Sequence, residues 1–126
     1  MTKIITYGTF DYFHYGHFML LKRAAALGSS LIVGLSSDEF NLQKNKQSLL
    51  DFDKRKEVLE SLNFIDSIFP ENSWEQKVED IKNHNIDILV MGSDWNMKFD
   101  YLKKYCDVVY LERTPKISTS LIKEIL

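Results

Sequence analysis

The chain reads as an α/β protein, a single doubly wound domain. We expect a five-stranded parallel sheet in the order 3-2-1-4-5 with helices on both faces. Three observations predict this. Short apolar runs bounded by Gly or Pro alternate with segments of helical spacing. The clearest runs, Ile4-Ile5-Thr6-Tyr7 and Leu31-Ile32-Val33-Gly34-Leu35, are almost continuously apolar, as in strands covered on both faces. No repeat, low-complexity tract or Pro/Gly-rich linker interrupts the 126 residues, so residues 1–126 form one domain. Right-handed crossovers then favour the doubly wound order.

The elements follow in sequence. Ile4 to Tyr7 is the first strand, ended by Gly8. From Gly16 to Leu27, Phe18, Leu20, Leu21, Ala24, Ala25 and Leu27 recur at helical spacing, and Gly28 fits a helix stop. Ser30 to Ser36 is the second strand. Asp38 to Ser48 is polar and lysine-bearing, a short helical piece followed by a loop. Asp53 to Leu62 is helical, with Asp51 or Asp53 as its cap. Ile65 to Phe69 is a short strand that Pro70 should end. Ser73 can cap a helix reaching Asn83, with Gln76 placed as in a capping box. Ile86 to Met91 is a strand stopped by Gly92, Phe99 to Tyr105 is helical, Val108 to Leu111 is the last strand, and Ser118 opens a final helix.

Composition narrows the function. Sixteen Lys and Arg against eighteen Asp and Glu leave a net charge of −2, which does not point to a nucleic-acid binder. Cys106 is the single cysteine, which excludes an intramolecular disulfide or a Cys-rich zinc site. It reads as a structural thiol. The first residues read as a core strand, and no stretch has the roughly 18 apolar residues of a membrane span. A cytoplasmic protein that contacts no membrane is the expectation.

In a doubly wound sheet, ligands bind beyond the carboxyl ends of the strands at the switch point. Gly8 to His17, Gly92 to Trp95 and Glu112 to Ser120 should therefore face one cleft. In Thr9-Phe10-Asp11-Tyr12-Phe13-His14-Tyr15-Gly16-His17, two histidines three apart share one helix face at its N-terminus. Free N–H groups and the helix dipole there suit an anion, and Gly16 lets a phosphate approach. Imidazole donors could stabilise charge on an α-phosphate. The same spacing also fits a metal pair, or a cap and a surface residue. Arg113-Thr114-Pro115-Lys116-Ile117-Ser118-Thr119-Ser120 joins a strand end to a helix start, with a guanidinium fork and hydroxyls for phosphate oxygens. Alone it equally fits a Ser-capped helix with a surface arginine.

Together these segments resemble the HxGH nucleotidyltransferases, which have a Rossmann-like fold. Tyr7 to Asp11, His14-x-Gly-His17 and Arg113 to Ser120 carry that resemblance. Asp38 to Lys44, Trp74 to Lys77, His84 to Asp87 and Met91-Gly92-x-Asp94-Trp95 narrow it to the glycerol-3-phosphate cytidylyltransferase branch of bacterial wall-polymer synthesis. The resemblance implies transfer of CMP from CTP to sn-glycerol 3-phosphate, giving CDP-glycerol and pyrophosphate for teichoic acid or another surface polymer. It implies that Thr9, Phe10, His14, Tyr15, Gly16, His17 and Lys46 contact CTP, with Arg113, Thr114, Pro115, Lys116, Ile117, Ser118, Thr119 and Ser120 around the triphosphate. His14, His17 and Arg113 would be catalytic. Lys44 and Lys77 would bind the acceptor, Mg²⁺ would accompany CTP without dedicated protein ligands, and the chain would form a homodimer.

Asp11 and Asp94 would orient groups or meet Mg²⁺ through water. Arg55 is either a helix-surface charge or a triphosphate contact. Trp95 either stacks on a base or fills a loop core, and Lys77 could equally lie on a solvated helix face. The chain departs from the branch at Asn63, where an arginine is usual, at Pro115-Lys116 in place of Glu-Gly, and at Tyr15 in place of tryptophan. Two readings stand beside this one: a cytidylyltransferase for phosphocholine, phosphoethanolamine or another polyol phosphate, and a non-catalytic nucleotide-binding module.

Overall fold

The computed structural model describes residues 1–112. Arg113 to Ser120 and the helix expected from Ser118 lie outside the described residues. Strands β1 (Lys3–Gly8), β2 (Ser30–Ser36), β3 (Ser67–Glu71), β4 (Ile88–Gly92) and β5 (Asp107–Leu111) alternate with α1 (Tyr15–Ala25), α2 (Asp38–Gln43), α3 (Phe52–Glu60) and α4 (Gln76–Asn83). Two 3₁₀ turns, Ser93–Trp95 and Asp100–Lys104, join β4 to β5. All five strands pair in parallel in the order β3-β2-β1-β4-β5. The expected doubly wound topology is the one observed.

Neighbouring strand residues point to opposite faces, so each strand feeds two cores. Ile4, Leu31, Val33, Leu35 and Val90 pack with Leu21, Ala24 and Leu59 of α1 and α3. Ile5, Ile32, Leu89 and Met91 pack on the other face with Ile81 of α4, Phe99 and Leu102. At Gly34 the side chain must be absent: Tyr7 lies opposite it in the β1–β2 register, and a Cβ there would collide with the Tyr7 ring.

Several boundaries differ from expectation for local reasons. Helix α1 ends at Ala25, and Gly28 serves close packing rather than a left-handed stop: a Cβ there would stand 2.8 Å from Ile4 Cγ1. Asp51, not Asp53, caps α3 by accepting from the Lys54 N–H at 3.0 Å. Pro70 lies within β3 and does not end it, because β3 is an edge strand where a missing N–H is tolerated. That displacement carries the strand on to Glu71. Helix α4 starts at Gln76 rather than Ser73, and half of the capping box survives, the Gln76 amide oxygen accepting from the Ser73 N–H at 3.2 Å. The segment before β5 is a 3₁₀ turn rather than an α-helix, held by the Tyr110 hydroxyl, which accepts from the Phe99 N–H and donates to Asp100.

Candidate active site

The carboxyl ends of β1, β4 and β5 open into one cleft of about 530 Å³. Thr9 to Asp11, His14, Gly16 and His17 line it after β1, Gly92, Asp94 and Trp95 after β4, and Glu112 after β5. The convergence expected from topology is present up to the limit of the described residues. Lys44 to Ser48, from the loop after α2, and Glu71, Trp74 and Lys77, from β3, the turn after it and α4, complete the wall.

The β1–α1 loop is held in an uncommon backbone shape. Phe10 and Tyr12 both lie in the left-handed region, at φ 52° and 50°, a conformation costly for bulky side chains and often kept at functional loops. Three anchors hold it. Both carboxylate oxygens of Asp11, itself buried, accept backbone N–H groups, from Leu49 at 2.6 Å and Leu50 at 3.1 Å. The Thr9 hydroxyl donates to Asn41 Oδ1 at 2.9 Å. Buried Arg55 reaches Thr9 from behind.

Arg55 therefore corrects the helix-surface reading. It is neither a surface charge nor part of the cleft lining. Its guanidinium donates to the carbonyls of Leu50, Thr9 and Ser36 at 3.0, 3.0 and 2.8 Å and to Asp38 Oδ1 at 2.8 Å. One side chain thus ties the β1–α1 loop, the end of β2, the start of α2 and the loop before α3.

Of the roles that their spacing allowed, the histidines take the helix cap, and both of them share it. His14 caps α1 through Nδ1, which accepts the His17 N–H at 3.4 Å, and His17 Nδ1 accepts the His14 N–H at 3.3 Å. This reciprocal capping box stacks the rings at 3.8 Å between centroids, 16° from parallel. With both Nδ1 atoms accepting, Nε2 is the nitrogen left to donate from each ring. Phe10 and Phe13 flank His17 at 5.5 and 5.6 Å. Burial among them, then the neighbouring His14, pulls the His17 pKa down to about 4, so this imidazole is neutral at pH 7.

The lysines separate. Lys46 is exposed on the cleft wall. Lys44 is partly buried, 4.5 Å above the Phe40 ring and 5.7 Å from Trp74, and desolvation lowers its pKa to about 8, with Lys46 adding to the effect. Lys77 lies on no solvated face: it is 1% exposed and ion-paired with Glu71, which is also buried. Desolvation outweighs the paired ammonium and leaves the Glu71 carboxyl above its usual range.

Trp95 packs against Trp74 and Phe99 at 5.7 and 5.5 Å, as the core reading expects, and also lines the cleft. Tyr15 is 59% exposed, stacks along α1 on Phe18 and is not among the cleft-lining residues, so its expected CTP contact has no support in this geometry. Asn63 is exposed in the turn after α3. Cys106 is a half-buried free thiol outside the cleft.

Sequence reasoning missed Glu71, Tyr7, Phe99 and Asn41 as parts of the site. A strand continuing through Pro70 was the one signal that could have brought Glu71 to the cleft. Among the described residues, no cluster of three His, Cys, Asp or Glu side chains could cage a metal ion. No helix among them is long and apolar enough to cross a membrane.

A stacked histidine pair on a helix N-terminus, beside lysines at a sheet switch point, is chemistry for phosphate groups. Comparison with known proteins agrees. Residues 5–125 match the model of the cytidylyltransferase-like family. The chain belongs to that family. A glycerol-3-phosphate cytidylyltransferase of Bacillus spizizenii is 57% identical over 98% of this chain and 96% of its own length. That of Staphylococcus aureus is 50% identical over 98% of this chain and 94% of its own. Among solved structures, a lipopolysaccharide core biosynthesis protein of Thermoplasma volcanium superposes with a TM-score of 0.79 at 21% identity, covering 90% of this chain and 98% of that one. That likeness bears on the fold alone. The family expected from the HxGH and RTxxISTS segments is thus the one whose model the chain matches.

Proposed function

We infer that the chain transfers CMP from CTP to sn-glycerol 3-phosphate, giving CDP-glycerol and pyrophosphate for a wall or surface polymer. The observation that carries this is the stacked His14–His17 pair at the mouth of α1, in a chain at least half identical to glycerol-3-phosphate cytidylyltransferases along almost its whole length.

In this reading an oxygen of the acceptor's phosphate attacks the α-phosphorus of CTP. The new P–O bond forms in line with the bond to the β-phosphate, which breaks and releases pyrophosphate. A phosphate monoester is already a nucleophile at neutral pH, so the protein supplies position and charge stabilisation rather than a base. His14 and His17 donate Nε2–H to oxygens of the α- and β-phosphates. Because His17 stays neutral at pH 7, it acts as a fixed hydrogen-bond donor and not as a proton source. Thr9 and Phe10 meet the nucleotide, Lys46 the triphosphate, and Lys44 the acceptor's phosphate at the end of the cleft walled by Lys77 and Glu71. Arg113 to Ser120, outside the described residues, would embrace the departing pyrophosphate.

The residues present fit Mg²⁺ carried in on the triphosphate. Asp11 spends both oxygens on backbone N–H groups, which makes it an orienting residue, and Asp94 of the cleft wall is the carboxylate that would meet the ion through water. Mg²⁺ would neutralise charge on the phosphate oxygens. We place the reaction in the cytoplasm and expect a homodimer, read in sedimentation as twice the chain mass.

The test is glycerol 3-phosphate labelled with ¹⁸O in its phosphate, incubated with CTP and Mg²⁺. Direct attack leaves all label in CDP-glycerol and none in pyrophosphate. Label in pyrophosphate, or no CDP-glycerol, overturns the reading.

A further inference from the structure

The wall formed by β3, α4 and the 3₁₀ turn before β5 contains a recognisable box. Three ring faces surround the Lys77 ammonium: Tyr7 at 4.5 Å, Trp74 at 4.9 Å and Phe99 at 5.1 Å from their centroids. The carboxylate of Glu71 supplies the counter-charge. All five residues line the cleft. The Tyr7 hydroxyl donates to Asp80 at 2.9 Å, which fixes that ring in place. Several aromatic faces and one carboxylate around a desolvated point are the means by which proteins bind alkylammonium groups. Here the ammonium is the protein's own.

We propose that Lys77 selects the charge of the acceptor, by filling with its own ammonium a box that would otherwise take the ammonium head of an amino-alcohol phosphate. This rests on the acceptor-side assignment made above and deepens it. An incoming phosphoethanolamine finds the box occupied, and its cation faces both Lys77 and Lys44, whose ammonium shares the Trp74 ring. Glycerol 3-phosphate carries no cation, so it leaves the box undisturbed and brings its phosphate to a positive wall. Discrimination comes from the repulsive element as much as from the attractive one.

The experiment removes the stem. Lys77→Ala empties the box but leaves Glu71 buried without its partner, so a double variant, Lys77→Ala with Glu71→Gln, is made beside it. Each is melted in about 50 mM ethylammonium chloride and in sodium chloride at equal ionic strength. Filling the empty box should shift the folding equilibrium of Lys77→Ala about tenfold, a rise in Tm of about 4 °C over the sodium control. The double variant keeps the three rings and should show about half that rise, and the wild type none. In parallel, kcat/KM for phosphoethanolamine relative to glycerol 3-phosphate should rise on the order of 10²-fold in Lys77→Ala.

No ammonium-specific stabilisation in either variant overturns the box. Stabilisation without any change in the acceptor ratio overturns the selection. Should the wild type fail to use glycerol 3-phosphate, the functional reading falls, while the melting comparison still decides the box.

Discussion

Arg55→Met tests most sharply how the site is built. The substitution keeps an unbranched stem and deletes a guanidinium that makes four hydrogen bonds from a fully buried position. The Ser36 carbonyl lies in a buried residue, so losing its donor exposes it to the full penalty of an unsatisfied polar group, about 1–3 kcal/mol. Thr9 and Leu50 are half-buried residues whose bonds to Arg55 are only partly buried, so the loss there is smaller, about 0.5–1 kcal/mol each. Asp38 is 46% exposed, so the ion pair adds under about 1 kcal/mol. The sum is about 4 kcal/mol, a large share of the stability of a domain this size. Urea unfolding should show a midpoint lower by about 2 M with an unchanged slope. Because the lost partners include Thr9 and Leu50, KM for CTP should rise in the fraction still folded. A loss below about 1 kcal/mol with normal KM would refute the reading of Arg55 as the tie behind the cleft.

Other consequences follow from the same geometry. His14→Ala and His17→Ala should each lower kcat about 10²-fold or more, as expected for a lost transition-state donor, and near-normal turnover in both would remove the histidines from the chemistry. The depressed His17 pKa means that the unfolded chain takes up a proton that the folded one refuses between about pH 6.5 and 4. The His17 contribution to stability is therefore intact above that window and falls as pH drops through it, by about 3 kcal/mol, and His17→Ala should make the slope shallower by that amount in melts across pH. Lys44, with its pKa lowered to about 8, loses charge above that pH. kcat/KM for the acceptor should decline there, and Lys44→Arg, which stays charged, should move the decline upward. Asp11→Asn keeps one acceptor where two are used, so the Leu49 and Leu50 amides should exchange with deuterium faster while the sheet amides do not change.

The fold was legible because parallel strands covered on both faces write themselves as continuous apolar runs. Ile4 to Tyr7 and Leu31 to Leu35 could hardly be anything else. The histidine pair was legible because a spacing of three at a helix start constrains its own geometry. What the pattern could not show was burial of charge. Arg55 and Lys77 sit near other charged residues, in Asp53-Lys54-Arg55-Lys56 and in Glu75-Gln76-Lys77, and only packing separates them from exposed neighbours such as Lys54 and Glu75. Glu71 escaped notice because Pro70 suggests a strand end, whereas an edge strand tolerates it. The left-handed turns at Phe10 and Tyr12 carry no glycine or asparagine to announce them, since tertiary anchors at Asp11 and Thr9 impose them.

The most direct measurement is pyrophosphate release from the purified chain with Mg²⁺, under a matrix of CTP or ATP against glycerol 3-phosphate or phosphocholine. The account predicts release that requires CTP and glycerol 3-phosphate together. Release with ATP, release with phosphocholine in place of glycerol 3-phosphate, or silence with every pair would contradict it.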